Sequence, residues 1–428
     1  MTSRERGGGG LAPGRRGPDR PGRRVLHVCA IDDSLRLVLG RQLQYLRDRG
    51  YEVHAACSRG PGADDLARQL GVPIHHVPIS RRIEPGADAQ ALWALVSLLR
   101  EQRYDLVHLH FPKSSLLGAT AARLARVPLV VQTVRPMFMP HMPLGRRQLL
   151  MTIERYTCSL CTHLLAQNPD DALYYPEQWV CPPSKISAIG NGIELARFDP
   201  ARPEHRPSAA RRELGLPDDA FVIGMAGRYT VEKGYREFFE VVRRLAAEDP
   251  TVRFVTAGAA LASERAVVSR DLPERMGIAD RGVQLGQRSD MPRVYAAMDV
   301  LLFPSYREAC PRTPMEAAAM GRPVVASDLR GCRWSVRDGV NGFVAPVRDV
   351  EAFAARVRRL RDDRRLRERM GQAGRALALA RFDEERMFER VAVAYRALLA
   401  GRPVPSGDDL WGLPPDLEEA SPARRADA

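Results

Sequence analysis

Short apolar runs alternate with helical periodicities along this chain, in two separate series. In the first, "VLHVCAI" (25–31), "YEVHAAC" (51–57), "IHHVPI" (74–79), "DLVHLH" (105–110) and "LVVQTV" (129–134) read as strands. Amphipathic stretches near 35–50, 63–70, 88–102 and 114–126 separate them, and a long helix near 145–160 precedes two more strands, "HLLAQ" and "ISAIG". Residues 191–220, rich in Pro and Arg, break the pattern as a linker would. It restarts with "FVIGMAG" (221–227), a helix near 234–247, "RFVTAG" (253–258), a helix near 262–276, "VQLG", a short helix from Met291 and "VLLFP" (300–304). The helix carrying Glu316, then "PVVAS" and "GFVAP", completes it. Strands that are apolar throughout are covered on both faces, which is the condition of a parallel sheet. The fold class is therefore α/β, with two Rossmann-like, doubly wound parallel-sheet domains facing a cleft. The expected limits are a disordered leader at 1–22, domains at 23–200 and 201–385, a C-terminal helix at 386–400 and a disordered tail at 401–428.

The 428 residues suffice for two such domains. The longest apolar run, "ALWALVSLL" (91–99), falls short of the roughly 18 residues that cross a bilayer. The leader carries Arg, Gly and Pro without an apolar stretch, so it does not read as a secretory signal. Seven cysteines, an odd number spread over a long chain, predict reduced thiols and a cytoplasmic location. The net charge is +13, with 26 Lys/Arg against 18 Asp/Glu in residues 1–200 and 39 against 34 in the rest. This excess is spread rather than gathered into a stripe, and no recognition motif accompanies it, which argues against nucleic acid as a partner. An anionic membrane surface, such as the inner face of the plasma membrane, or a phosphate-bearing substrate suits it better.

Ligands of open parallel sheets bind beyond the carboxyl ends of the strands, where helix N-termini present unpaired N–H groups. In the second series, "GRYTVEKG" follows strand 221–227 and places Arg228 and Lys233 in such a loop. "SYREACPRTPMEA" follows strand 300–304 and places Glu308 at the same edge, with Glu316 seven residues beyond it. Thr313-x-x-Glu316 with Pro314 also reads as a capping box, and capping and ligand contact are compatible for Glu316. Cations suit a diphosphate, and carboxylates accept hydrogen bonds from vicinal hydroxyls. Together they describe a nucleotide-sugar site.

The set "AGRYTVEKG", "PSYREACPRTPMEAAAMGRPVVASD" and "DGVNGFVAP" resembles the retaining GT-B glycosyltransferases of family 4, in the branch that makes bacterial capsule, exopolysaccharide and lipid-linked glycans. The resemblance runs from about residue 23 to 400, through "GYEVHAACS", "DLVHLHFPKSSLLGATAARLARVPLVVQTV" and "IGNGIELARFDP". It implies a metal-independent enzyme without cofactor that moves a hexosyl or N-acetylhexosaminyl group from a nucleotide sugar, UDP-linked, to a polyprenyl-linked or glycan acceptor. Arg228 and Lys233 would hold the diphosphate, Glu316 the ribose and Glu308 the donor sugar. Backbone groups of Ala309 and Cys310 would complete the donor site. Attack from the front face lets the departing phosphate take the acceptor proton, so the protein positions the reactants and meets the growing diphosphate charge.

The chain departs from that family at several places. Arg135 stands where relatives carry a Thr-x-His histidine, and would meet phosphate or acceptor, or pack at the cleft. Ala309 and Cys310 replace a loop that commonly begins with glycine, Trp334 replaces a frequent glutamate, and "IDDSLRL" lacks the glycine pair of the first strand–helix loop. Cys158-x-x-Cys161 has no second Cys/His pair at zinc spacing and reads as core. His108 and His110 alternate at a strand end, where structural placement outweighs metal binding and an acceptor contact by His110 stays open. No metal ligand set is expected. Two alternatives remain: an inactive nucleotide-sugar-binding scaffold subunit, and a nucleotide-sugar epimerase with further acid/base groups in the cleft.

Overall fold

A computed structural model describes residues 23–60, 63–80, 83–135, 142–259 and 266–405. The leader, and the tail beyond residue 405, lie outside the described residues. Among the described residues thirteen strands form where the apolar runs predict them. The first sheet holds β1 (Arg24–Ile31), β2 (Glu52–Ser58), β3 (Ile74–His76), β4 (Leu106–His110), β5 (Leu129–Val134), β6 (His163–Ala166) and β7 (Ile186–Ala188), in the order β3-β2-β1-β4-β5-β6-β7. The second holds β8 (Phe221–Ala226), β9 (Val252–Ala257), β10 (Gly282–Gln284), β11 (Val300–Phe303), β12 (Val324–Ser327) and β13 (Gly342–Ala345), in the order β10-β9-β8-β11-β12-β13. Every residue of β4, β8, β11 and β12 is buried, as strands covered on both faces must be.

In both sheets the strand order reverses beside the first strand, between β1 and β4 and between β8 and β11. Such a reversal leaves a crevice at the carboxyl edge, because the flanking connections run off to opposite sides. Helices are started by their own sequence. Asn168 caps Pro169–Glu177 through the N–H of Asp170, Asp349 caps Val350–Asp362, and Asp363 caps Arg364–Arg381. The helix Tyr235–Glu248 buries Phe238, Phe239, Val241, Val242 and Leu245, an i, i+3, i+4, i+7 stripe against its sheet.

By contacts the chain divides into two compact units. One contains residues up to Gln132, Leu160–Thr162 and Val391–Pro405; the other contains Thr133–Ser159 and His163–Arg390. The last helix, Glu384–Leu399, thus contributes its second half to the first unit.

Two expectations need correction. No helix spans the described part of 262–276: residues 266–271 are extended or turned, and helix is confined to Leu272–Arg275. The backbone instead pairs with the loop after β8, where Val231 N donates to Ala266 O and Val268 N to Tyr229 O. These tertiary bonds outweigh the helix propensity of an Ala-rich stretch. The capping box is also absent. The helix starts at Arg312 after Pro311, with no side-chain cap, so Pro314 is its third residue and Glu316 lies beyond its first turn.

Candidate active site

Four of the expected residues gather at the carboxyl edge of the second sheet, on loops that the backbone locks together. Glu232 O, in the loop after β8, accepts from Tyr306 N at 2.8 Å and from Ser305 Oγ at 3.1 Å, both in the loop after β11. Gly234, at φ 79°, lets these loops meet, because a Cβ there would collide with Pro304 O. Gly331 does the same for the neighbouring turn, since its Cβ would strike the carbonyls of Glu308 and Ala309.

Lys233 Nζ donates to Glu308 Oε1 at 2.6 Å, with both side chains largely shielded from solvent. Lys233 is one of three lysines in a chain with 65 basic residues. A compact ammonium with three donors therefore stands where arginine is the default. One donor is spent on Glu308, and two remain for a ligand. Arg228 pairs with Glu232 at 3.2 Å in a half-exposed contact, which contributes little to stability and leaves the guanidinium able to turn. Glu232 also takes Arg307 at 3.1 Å.

Glu316 accepts a hydrogen bond from the Tyr295 hydroxyl at 2.7 Å. Burial pushes its carboxyl above the ordinary range, against the opposing pull of that bond and of Arg312 and Arg197. Tyr295 is fully buried, so the acid is held by a fixed phenol rather than by its own helix. This acceptor's remaining lone pairs are what a pair of hydroxyls would use.

Ala309 is half-buried and Cys310 buried. The Cys310 carbonyl accepts from Asn191 Nδ2 at 2.8 Å, which pins the loop between the two glutamates. Burial pushes the Cys310 thiol up, so it stays protonated and is no nucleophile at neutral pH. Arg135 follows the last residue of β5 and lies close enough to Arg312 for repulsion to matter. Burial first, and Arg312 second, push its guanidinium down to about 10. His110 is placed elsewhere, buried among histidines of the first unit. Trp334 packs in the core against Phe382, with Arg381 over its ring.

Several supporting residues carried no sequence signal. Tyr295 lies 21 residues before Glu316, and Asn191 lies 119 before Cys310. Asn168 Nδ2 donates to Arg330 O at 2.9 Å, and Arg330 Nε donates to Asp171 Oδ1 at 2.7 Å. Burial nonetheless pushes Asp171 up to about 6, so desolvation outweighs the ion pair.

Two family models match the chain side by side: "Glycosyl transferase 4-like domain" over residues 35–192 and "Glycosyl transferases group 1" over 208–377. The chain is 29% identical over 332 residues to the UDP-Gal:alpha-D-GlcNAc-diphosphoundecaprenol alpha-1,3-galactosyltransferase of Escherichia coli, covering 76% of this chain and 84% of that one. It is 24% identical to the capsular polysaccharide biosynthesis glycosyltransferase CapM of Staphylococcus aureus, covering 88% and 97%. Its fold resembles HepE of Anabaena, solved in complex with UDP, at a TM-score of 0.71 and 23% identity over 86% of this chain and 98% of that one. With both halves matched and the doubly wound sheets in place, the chain belongs to the GT-B glycosyltransferases of family 4.

Proposed function

We propose that the chain transfers a hexosyl or N-acetylhexosaminyl group from a UDP-linked sugar to a polyprenyl-diphosphate-linked acceptor, with retention and without a metal ion. The observation that carries this reading is the Lys233–Glu308 pair at the β8/β11 reversal, with Glu316 on the helix that follows. The UDP-linked donor and lipid-diphosphate-linked acceptor named for the Escherichia coli relative, and the UDP bound by HepE, support the choice of substrates. In this reading Glu308 and Glu316 take hydroxyls of the sugar and ribose. Lys233, Arg228 and the N-terminus of helix Tyr235–Glu248 meet the charge that grows on the leaving diphosphate. Arg135 and Arg312 add positive charge for a phosphate of donor or acceptor.

The chain acts at an anionic membrane surface on the cytoplasmic side. No helix among the described residues is long and apolar enough to cross a membrane. Two arginines of the helix Leu144–Leu160 are engaged within the protein. Arg147 donates to Gln178 Oε1, and Arg155 to the carbonyls of Gln178 and Trp179. Apolar side chains of this helix and of the segment that follows it are exposed: Leu144, Leu149 and Leu173, and Trp179, 85% exposed at φ 56°. Arg146, also exposed, adds the charge.

A binding-only subunit is the second reading, favoured by Arg135 in the place of the family's histidine. Mass spectrometry after incubation with a panel of nucleotide sugars and membrane extract decides between them. Transfer, or hydrolysis of one donor without acceptor, is expected; intact donors throughout would establish the binding-only reading.

A further inference from the structure

Three histidines meet inside the first unit, and one of them, His27, adds to the two that alternate along "DLVHLH". β1 and β4 are parallel neighbours in which His27 lies directly across from His108. His110, two residues further along β4, projects from the same face. All three are buried, at 0%, 0% and 1% exposure. One ring nitrogen from each lies within 4.8 Å of the others, a grouping found once among the described residues. His27 Nδ1 and His110 Nε2 are 2.9 Å apart.

These distances can be compared with those of a bound ion. Two imidazoles held at Zn–N bonds of about 2.0–2.1 Å and a tetrahedral angle have nitrogens about 3.3 Å apart and ring centroids about 5 Å apart. The centroids of His27 stand 5.0 Å from His108 and 5.2 Å from His110. The His108–His110 separation of 4.2 Å would open by about 1 Å to match.

The outer nitrogens of two of the rings are also provided for. A metal-bound imidazole directs its second N–H to an acceptor, which fixes the tautomer. The Tyr395 hydroxyl lies 2.5 Å from His108 Nδ1 and 3.4 Å from His27 Nε2, and its oxygen has two lone pairs. Accepting there leaves the lone pairs of His108 Nε2 and His27 Nδ1 inward, and His27 Nδ1 is the atom facing His110.

We propose that His27, His108 and His110 form a binding site for one borderline divalent cation, best matched by zinc, with Tyr395 of the last helix as its outer partner. Three imidazoles suit zinc, cobalt or nickel and discriminate against magnesium and calcium. The ion would be structural, tying β1 and β4 to the C-terminal helix. Its residues are different from Arg228, Lys233, Glu308 and Glu316, so the inference does not depend on the transferase reading.

The test uses the full chain, grown with added zinc and purified through a tag without histidines. About one zinc per chain is expected by elemental mass spectrometry after dialysis, and cobalt grown in its place should give the ligand-field absorption of an imidazole-bound ion. His27→Leu and His108→Leu should lose at least nine-tenths of the metal, with circular dichroism unchanged. Tyr395→Phe should keep the metal but bind it roughly 10–100-fold more weakly. If the histidine variants do not fold, the natural chain decides: removal of metal by a strong chelator should lower its melting temperature, and zinc should restore it. A metal-free natural chain whose melting temperature ignores zinc would overturn the site. So would unchanged zinc in folded His27→Leu, which would assign the ion to other ligands.

Discussion

Lys233 and Glu308, 75 residues apart, hold each other at 2.6 Å across the reversal point of the second sheet. In the proposed reading the pair sets a cation against the leaving diphosphate and a carboxylate against the sugar. Lys233→Ala should lower kcat/KM for transfer by about 10²–10³. Glu308→Gln keeps an acceptor but removes the charge that orients Lys233, and should cost a similar factor. Because the two act as one unit, the double variant should lose far less than the product of the single losses. Full multiplicativity in a double-mutant cycle would mean that the contact has no role in turnover.

Glu316 should show opposite effects on stability and on binding. Its carboxylate is desolvated beside Tyr295, so Glu316→Gln removes a buried charge while keeping an acceptor for the phenol. The melting temperature of the free protein at pH 7 should hold or rise, while UDP affinity falls at least tenfold. Parent-like UDP binding in this variant would remove Glu316 from the ribose.

Asp171 gives the pH dependence a sign. Its native carboxyl titrates at about 6 against 3.8 in the ordinary state, so between these values the folded chain holds a proton that the unfolded chain has released. Stability should therefore fall as pH rises from about 4 to 6, by at most about 3 kcal/mol, and then level off with respect to this group. Glu316, shifted in the same direction, adds to the slope. Thermal melts of Asp171→Asn should be flatter over that window; an unchanged slope would exclude Asp171 as its source.

Transfer should proceed in EDTA without added magnesium or manganese if, as proposed, Lys233, Arg228 and a helix N-terminus meet the leaving charge. Loss of turnover in EDTA that magnesium restores would contradict this. A histidine site would not confuse the result, since imidazole ligands do not select magnesium.

Membrane docking should depend on Trp179 more than on Arg155, whose guanidinium is engaged with the carbonyls of Gln178 and Trp179. In flotation with anionic vesicles, Trp179→Ser should reduce binding severalfold, and salt should release the chain only partly. Complete release by salt with no effect of Trp179→Ser would return the contact to the arginines.

The fold was legible because its strands are apolar runs and its loops carry Gly, Pro and charge at the strand ends. Arg228, Lys233, Glu308 and Glu316 could be placed at one edge from order alone, since parallel strands put every following loop on the same side. What local reading missed is set by distant partners. Thr313-x-x-Glu316 looks like a cap, yet the Tyr295 hydroxyl takes the carboxylate. The stretch around Val267 looks helical, yet bonds to the loop at Tyr229 and Val231 hold it open. Tyr395 lies 368 residues beyond His27, and no periodicity joins them.

Calorimetric titration of UDP into the chain in EDTA tests the donor site most directly. The account predicts that UDP binds, that UMP binds at least tenfold more weakly for want of the second phosphate, and that Lys233→Ala erases most of this difference. Absence of UDP binding, or an equal preference for UDP over UMP in Lys233→Ala and the natural chain, would contradict it.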